Sequence, residues 1–304
     1  MSGSLRLSEH RPSVSEGGAQ RSDGHDPAAE AGWRGGQQRL GFFTDTSVCI
    51  GCKACEVACK EWNAIPADGN LDLLGSSYDN TGALGASTWR HVAFIEQPAP
   101  AGTGTDTDQA DFRWLMSSDV CKHCTHAACL DVCPTGALFR TEFGTVVVQD
   151  DVCNGCGYCV PACPFGVIDR REGEKGERGV GLAQKCTLCY DRLGAGNTPA
   201  CAQACPTESI VFGDLDELRV RAAARVDTLH EQGVAEARLY GASPEDGIGG
   251  AGAMFLLLDE PEVYGLPPDP VVCTRDLPQL YQHTGLAALG LLAGVVAAFL
   301  GRRR

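Results

Sequence analysis

An α+β fold made of a duplicated small unit and closed by one apolar C-terminal helix is what this 304-residue sequence predicts, on three observations. Sixteen of the seventeen cysteines fall into four tetrads. Three tetrads end in Cys-Pro, and a short apolar run follows each ending within a few residues: Ala137-Leu138, Val167-Ile168 and Ile210 to Phe212. The third observation is Gly285 to Gly301, seventeen small or apolar residues without a charge.

The tetrads carry the chemistry. They are Cys49-x2-Cys52-x2-Cys55-x3-Cys59, Cys121-x2-Cys124-x4-Cys129-x3-Cys133, Cys153-x2-Cys156-x2-Cys159-x3-Cys163 and Cys186-x2-Cys189-x11-Cys201-x3-Cys205. A [4Fe–4S] cubane offers four iron corners, each taking one thiolate, and three closely spaced cysteines wrap three of them. In two-cluster bacterial ferredoxins the fourth cysteine ligates the other cluster. Applied here, that crossing predicts nested ferredoxin-like modules. The inner module, residues 121–168, holds two clusters, on Cys121, Cys124, Cys129 with Cys163, and on Cys153, Cys156, Cys159 with Cys133. The outer module, residues 41–120 and 169–275, holds two more, on Cys49, Cys52, Cys55 with Cys205, and on Cys186, Cys189, Cys201 with Cys59. Four [4Fe–4S] clusters is the expectation.

Other uses of cysteine fit less well. Disulfide scaffolds are short and secreted. Structural zinc also takes four cysteines in Cys-x2-Cys pairs, but Cys-x2-Cys-x2-Cys suits a cubane better than a tetrahedron. Cys273 has no partner set and reads as a spectator. Lys53, Lys122 and Lys185 flank ligand cysteines, where a cation raises a local reduction potential; the plain alternative is a solvated lysine. His123 and His126 lie inside the second tetrad, where they are expected at the surface; the alternative is a supporting role beside the ligand cysteines. A net charge of −14 leaves no basic stripe for phosphates, which excludes nucleic acid.

Along the chain, residues 1–40 are polar, aperiodic and expected to be disordered. Phe42 to about Cys59 opens the first cluster loop, and a long connection follows to residue 90. Trp89 to Glu96 and Phe112 to Met116 are expected strands that pair with each other. Ala137 to Arg140 and Thr145 to Gln149 flank Gly144 as a hairpin. Short strands are expected at Val167-Ile168 and at Ile210 to Phe212. Asp214 to Gln232 reads as a helix: Asp214 is placed to cap it with Glu217 three residues on. Leu215, Leu218, Ala222, Val226 and Leu229 keep helical spacing, and Gly233 stops it.

Residues 276–304 read as a membrane anchor. Leu277 to Gly301 lacks Asp, Glu, Lys and Arg, and its seventeen-residue core Gly285 to Gly301 spans about 25 Å as a helix, the short end of the membrane-crossing range. The following Arg302 to Arg304 put the C-terminus in the cytoplasm by the positive-inside rule, and the cysteine-rich part outside it. No apolar leader or twin-arginine run opens the sequence, so the expectation is a cell-envelope protein exported in complex with a partner; the alternative is a domain on the cytoplasmic face.

From about Phe42 onward the chain resembles the iron–sulfur (beta) subunits of membrane-bound respiratory formate dehydrogenases, within the electron-transfer subunits of the molybdopterin oxidoreductases. The resemblance rests on the four tetrads, Ile50 to Cys55, Glu61-Trp62-Asn63, Tyr78-Asp79-Asn80, Lys185 to Cys189, Tyr264 to Pro267 and the single terminal helix. It implies a subunit that is not catalytic alone. Its implied partners are a molybdopterin catalytic subunit carrying molybdenum or tungsten and a cytochrome b-type membrane subunit that reduces quinone. It also implies that the set with Cys49 lies nearest the catalytic subunit, with Lys53 along that route. The same tetrads serve polysulfide, tetrathionate and sulfoxide enzymes and hydrogenases, which stay open as alternatives.

Overall fold

Phe42 and Phe43 are adjacent in sequence and point to opposite faces of one sheet, and that alternation organises the fold. The computed structural model describes residues 38–68, 79, 81–98, 112–174 and 176–301. The expected disorder of residues 1–40, the Tyr78 and Asn80 positions and Arg302 to Arg304 therefore lie largely outside the described residues. Strand β1 (Leu40–Asp45) occupies a stretch whose sequence reads as part of a loop. It pairs antiparallel with β8 (Ile210–Asp214) and parallel with β10 (Ala253–Leu257), which pairs antiparallel with β9 (Arg238–Tyr240). The strand just before the first tetrad thus lies beside the strand that follows the last.

One face of this sheet carries Phe43, Met254 and Leu256, packed under the long helix Leu215–Glu231 by Leu215, Leu218, Ala222 and Leu229. Asp214 caps that helix, accepting the backbone N–H of Asp216 and Glu217, and Gly233 follows its end with φ 88°. The other face carries Phe42, Ala253, Phe255 and Leu257 toward the cysteines. There the core is partly sulfur: Cys55, Cys121, Cys186 and Cys201 are buried among these apolar residues.

Strands β2 (Arg90–Pro98) and β3 (Phe112–Val120) form the expected antiparallel ribbon, each longer than its sequence pattern suggests. β4 (Leu138–Arg140) and β5 (Val146–Val148) form the hairpin around Gly144. At the third tetrad the structure differs from expectation. Val167 and Ile168 are buried but unpaired, and the strand comes two residues later, as β6 (Asp169–Arg170) against β7 (Ala183–Gln184). The apolar pair is consumed in packing against the cysteine loops, so the ladder starts where the side chains turn outward.

Each tetrad contains a short helix. In chain order these are α1 (Ala54–Asn63), α2 (Ala128–Asp131) and α3 (Cys159–Ala162), with α4 (Tyr190–Gly194) and α5 (Ala200–Gln203) in the fourth. The long helix is α6, and α7 (Leu277–Gly301) ends the described chain. Helix α7 leaves the body of the protein with its side chains exposed, and Gln279–Gly301 is long and apolar enough to cross a membrane.

Candidate metal centres

The four tetrad loops share one backbone solution. The residue two after the first cysteine is left-handed in every case: Gly51 (φ 65°), His123 (φ 45°), Gly155 (φ 71°) and Leu188 (φ 56°). That turn aims its N–H back at the preceding sulfur. His123 donates to Cys121 Sγ at 3.5 Å and Leu188 to Cys186 Sγ at 3.3 Å, and Gly51 does the same for Cys49. At Gly51 and Gly155 a side chain would meet both a left-handed φ and a close neighbour, side chains at the first and backbone at the second. A Cβ would sit 2.6 Å from Met116 Sδ at the first and 2.3 Å from the Gly181 carbonyl oxygen at the second.

The Cys-Pro endings repeat a second device. Proline has no N–H, and the sulfur before it takes the N–H groups further along. Cys133 is approached by those of Thr135, Ala137 and Leu138, and Cys163 by those of Phe165 and Val167. Burial raises the Cys133 thiol, but these donors together bring it below the usual thiol range.

Tertiary structure brings the cysteines together across tetrads. Cys49, Cys52, Cys55 and Cys205 line one cavity. Cys121, Cys124, Cys129 and Cys163 line another. Burial pushes Cys59 well up, with Cys186, Cys201 and Cys189 adding to the rise as its neighbours. Cys159 is pushed up to about 11, first by burial, with Cys153, Cys133 and Cys156 beside it. Among the described residues no three His, Cys, Asp or Glu groups converge closely enough for a single metal ion; each of the two cavities is lined by four thiols around a larger space. Burial is also the main reason that Cys129 and Cys186 are pushed up to about 12. Such thiols lose protons readily only to a cation that replaces them, so loading with iron releases protons.

Buried cations lie against these sets. Lys122 and Lys185 are 1 % and 2 % exposed, so neither is a solvated lysine. The Lys122 ammonium pairs with Asp119, donates to the Val120 carbonyl oxygen and lies over the Phe165 and Phe255 rings. Lys185 donates to the Val146 and Cys186 carbonyl oxygens and draws Cys129 down against its burial. Lys53, itself left-handed (φ 57°), is half-buried and bridges Glu56 at 3.3 Å and Asp79 at 3.2 Å. His123 and His126, expected at the surface, are buried. His123 Nδ1 accepts the Val146 N–H, which ties the second tetrad to the hairpin. Cys273 is exposed and belongs to none of these sets.

The donor chemistry fits [4Fe–4S] clusters: four thiols lining each of two cavities, backbone N–H groups aimed at sulfur, and cations to balance charge. Two residues near the first set carry no sequence signal. Arg90 and Ser118 reach it only because β2 and β3 pair; Ser118 Oγ lies 3.2 Å from Cys55 Sγ.

Comparison with known proteins agrees. Models of the 4Fe-4S dicluster domain match residues 48–137 and 112–215. The protein is 40% identical over 255 residues to the formate dehydrogenase iron-sulfur subunit of Haemophilus influenzae, covering 83% of its own length and 75% of that relative. It is 38% identical over 268 residues to the iron-sulfur subunit of the nitrate-inducible formate dehydrogenase of Escherichia coli, covering 84% and 83%. A subunit of the E. coli anaerobic dimethyl sulfoxide reductase is 36% identical over 181 residues, covering 60% of this protein and 76% of that subunit. The similarity to the two formate dehydrogenase subunits is too long to be confined to the tetrads, which end at Cys205.

Proposed function

Because the chain belongs to the iron–sulfur subunits of formate dehydrogenases, we propose that it relays electrons from a molybdenum- or tungsten-pterin catalytic subunit that oxidises formate, across four [4Fe–4S] sites, to a cytochrome b-type subunit and quinone in the membrane. Bound clusters supply one-electron redox chemistry at each site. The protein's part is to hold them, keep water away and set their spacing and charge.

The observation that carries this reading is the succession of the four sets. Cys55 of the first set neighbours Cys201 of the set that includes Cys59. Cys186 of that set neighbours Cys121 of the third, and Cys129 of the third neighbours Cys159 of the last. The line reaches the surface at both ends, where Cys52 and Cys156 are exposed. Ile50 and Val57 are exposed beside the first end, and Val152 and Tyr158 beside the other. We read the first as the face for the catalytic subunit, with Lys53 holding charge along that route, and the second as the face toward the membrane partner.

The ligand sets are Cys49, Cys52, Cys55 and Cys205; Cys186, Cys189, Cys201 and Cys59; Cys121, Cys124, Cys129 and Cys163; and Cys153, Cys156, Cys159 and Cys133. The second and third tetrads then form an inner module (121–168). The first and fourth form an outer one (41–120 with 169–275) that closes around it through β1 and β8. Helix α7 is read as a single-pass anchor over Gly285 to Gly301, with the iron–sulfur part extracytoplasmic after co-export with the catalytic subunit.

The test is made on the tagged chain isolated anaerobically from native membranes with its partners. Formate should elicit the EPR signals of reduced [4Fe–4S] clusters within the mixing time of a turnover assay. Clusters that dithionite reduces and formate leaves oxidised, in a sample whose catalytic subunit is present and intact, would sink the formate assignment.

A further inference from the structure

Arg90 is the largest fully buried side chain among the described residues, 1 % exposed, and cysteines from two of the four tetrads lie near it. It opens β2 opposite Val120 of β3, and its guanidinium lies over the Phe42 ring at 4.9 Å. Nη1 donates to Ser118, to Oγ at 2.9 Å and to the carbonyl oxygen at 3.2 Å. The same Ser118 Oγ touches Cys55 Sγ at 3.2 Å. Nε and Nη2 are buried and find no protein partner among the described residues. The groups that act most on its charge are Cys201, Cys55, Cys186 and Cys59, and among the described residues it makes no ion pair with a carboxylate. One of these sulfurs belongs to the first proposed set and three to the second.

A buried guanidinium with two idle nitrogens and no ion-pair partner among the described residues is strongly unfavourable on its own. Something negative has to face it when the protein is complete. A [4Fe–4S] cluster with four thiolates is a net anion, and its sulfurs accept hydrogen bonds from nitrogen. We propose that Arg90 is a shared countercharge for the first two clusters: one fixed cation between them that holds both midpoint potentials up. The proposal rests on the cluster sets described above. Its physical reason is simple. Reduction adds one negative charge to a cluster, and a cation in a poorly screened interior stabilises the reduced form more than the oxidised one. Because Arg90 neighbours sulfurs of both sets, it acts on both, whereas Lys53 lines the space of the first and Lys185 neighbours cysteines of the second and third. Arg90 is a positioning and tuning residue and holds no iron.

Potentiometric titration followed by EPR, on the anaerobically purified complex carrying Arg90→Gln or Arg90→Lys, tests this. Iron and sulfide contents of each sample are measured alongside. A full iron complement in the parent complex tests the cluster reading itself, so its failure is seen separately. In Arg90→Gln, two of the four midpoints should fall while the other two stay; in Arg90→Lys the two should fall less. If Arg90→Gln assembles poorly, losing the iron of these two sets while Arg90→Lys keeps it, the need for the charge is shown by loading instead. A fully loaded Arg90→Gln complex with four unchanged midpoints overturns the proposal. So does identical behaviour of the two variants in both content and potential, because a role in packing alone would not separate Lys from Gln.

Discussion

Four of the six non-glycine residues that carry a positive φ among the described residues lie inside tetrads: Lys53, His123, Leu188 and Cys189. Left-handed backbone costs an ordinary residue about 1–2 kcal/mol, so the strain is concentrated where thiols must be aimed. The glycines at equivalent positions avoid it. Gly155→Ala should both strain the turn and push a Cβ into the Gly181 carbonyl oxygen. We expect a loss of about 1–3 kcal/mol and selective loss of iron from the set with Cys153, read by iron content and by thermal unfolding of the loaded chain. A second residue-scale prediction separates crossed from uncrossed ligation. Cys205→Ser should disturb the cluster held by Cys49, Cys52 and Cys55, and leave the one held by Cys186, Cys189 and Cys201 spectroscopically unchanged. The reverse pattern would mean that each tetrad serves its own cluster.

At the scale of elements, helix α6 depends on its cap and its buried stripe. Asp214 accepts two of the N–H groups that the first turn leaves unpaired, at 2.9 and 3.0 Å. Asp214→Ala should cost about 1 kcal/mol, seen as an earlier denaturant midpoint with an unchanged slope; no shift would mean that packing on β1 and β10 alone sets the helix boundary. Helix α7 has no such support, since its apolar stretch is unburied by the other described residues. A chain ending after Asp276 should keep its iron and stay in the soluble fraction, whereas the full chain sediments with membranes and resists carbonate extraction. Sedimentation of the truncated chain, with its partners absent, would remove the anchor assignment.

For the whole molecule, cysteine stands where a larger protein would place hydrocarbon. Cys124, Cys129, Cys133, Cys153, Cys159 and Cys163 share one apolar cluster with Leu138, Val146 and Ile168. Ligation therefore substitutes for burial, and stripping iron should unfold this part of the chain. The check is proteolysis and near-UV circular dichroism before and after anaerobic chelation. Tetrad loops that stay protease-resistant without iron would show that the sheet of β1, β8, β9 and β10 holds them by itself.

Sequence alone determined the chemistry of this protein, because a cubane demands thiolates at short intervals and chain-local spacing records that demand. It also determined α6, the β2–β3 pair and the apolar terminal helix, since cap, alternation and hydropathy are local signals. The tertiary structure decided the rest. β1 reads as loop because six residues such as Leu40 to Asp45 carry no distinctive pattern; they become strand by pairing with residues some 170 and 210 positions away. Val167 and Ile168 go to packing instead of a ladder. His123, Lys122, Lys185 and Arg90 are interior. Burial of a charge depends on what folds over it, and nothing within a few residues of Arg90 announces Phe42, Ser118 or Cys201.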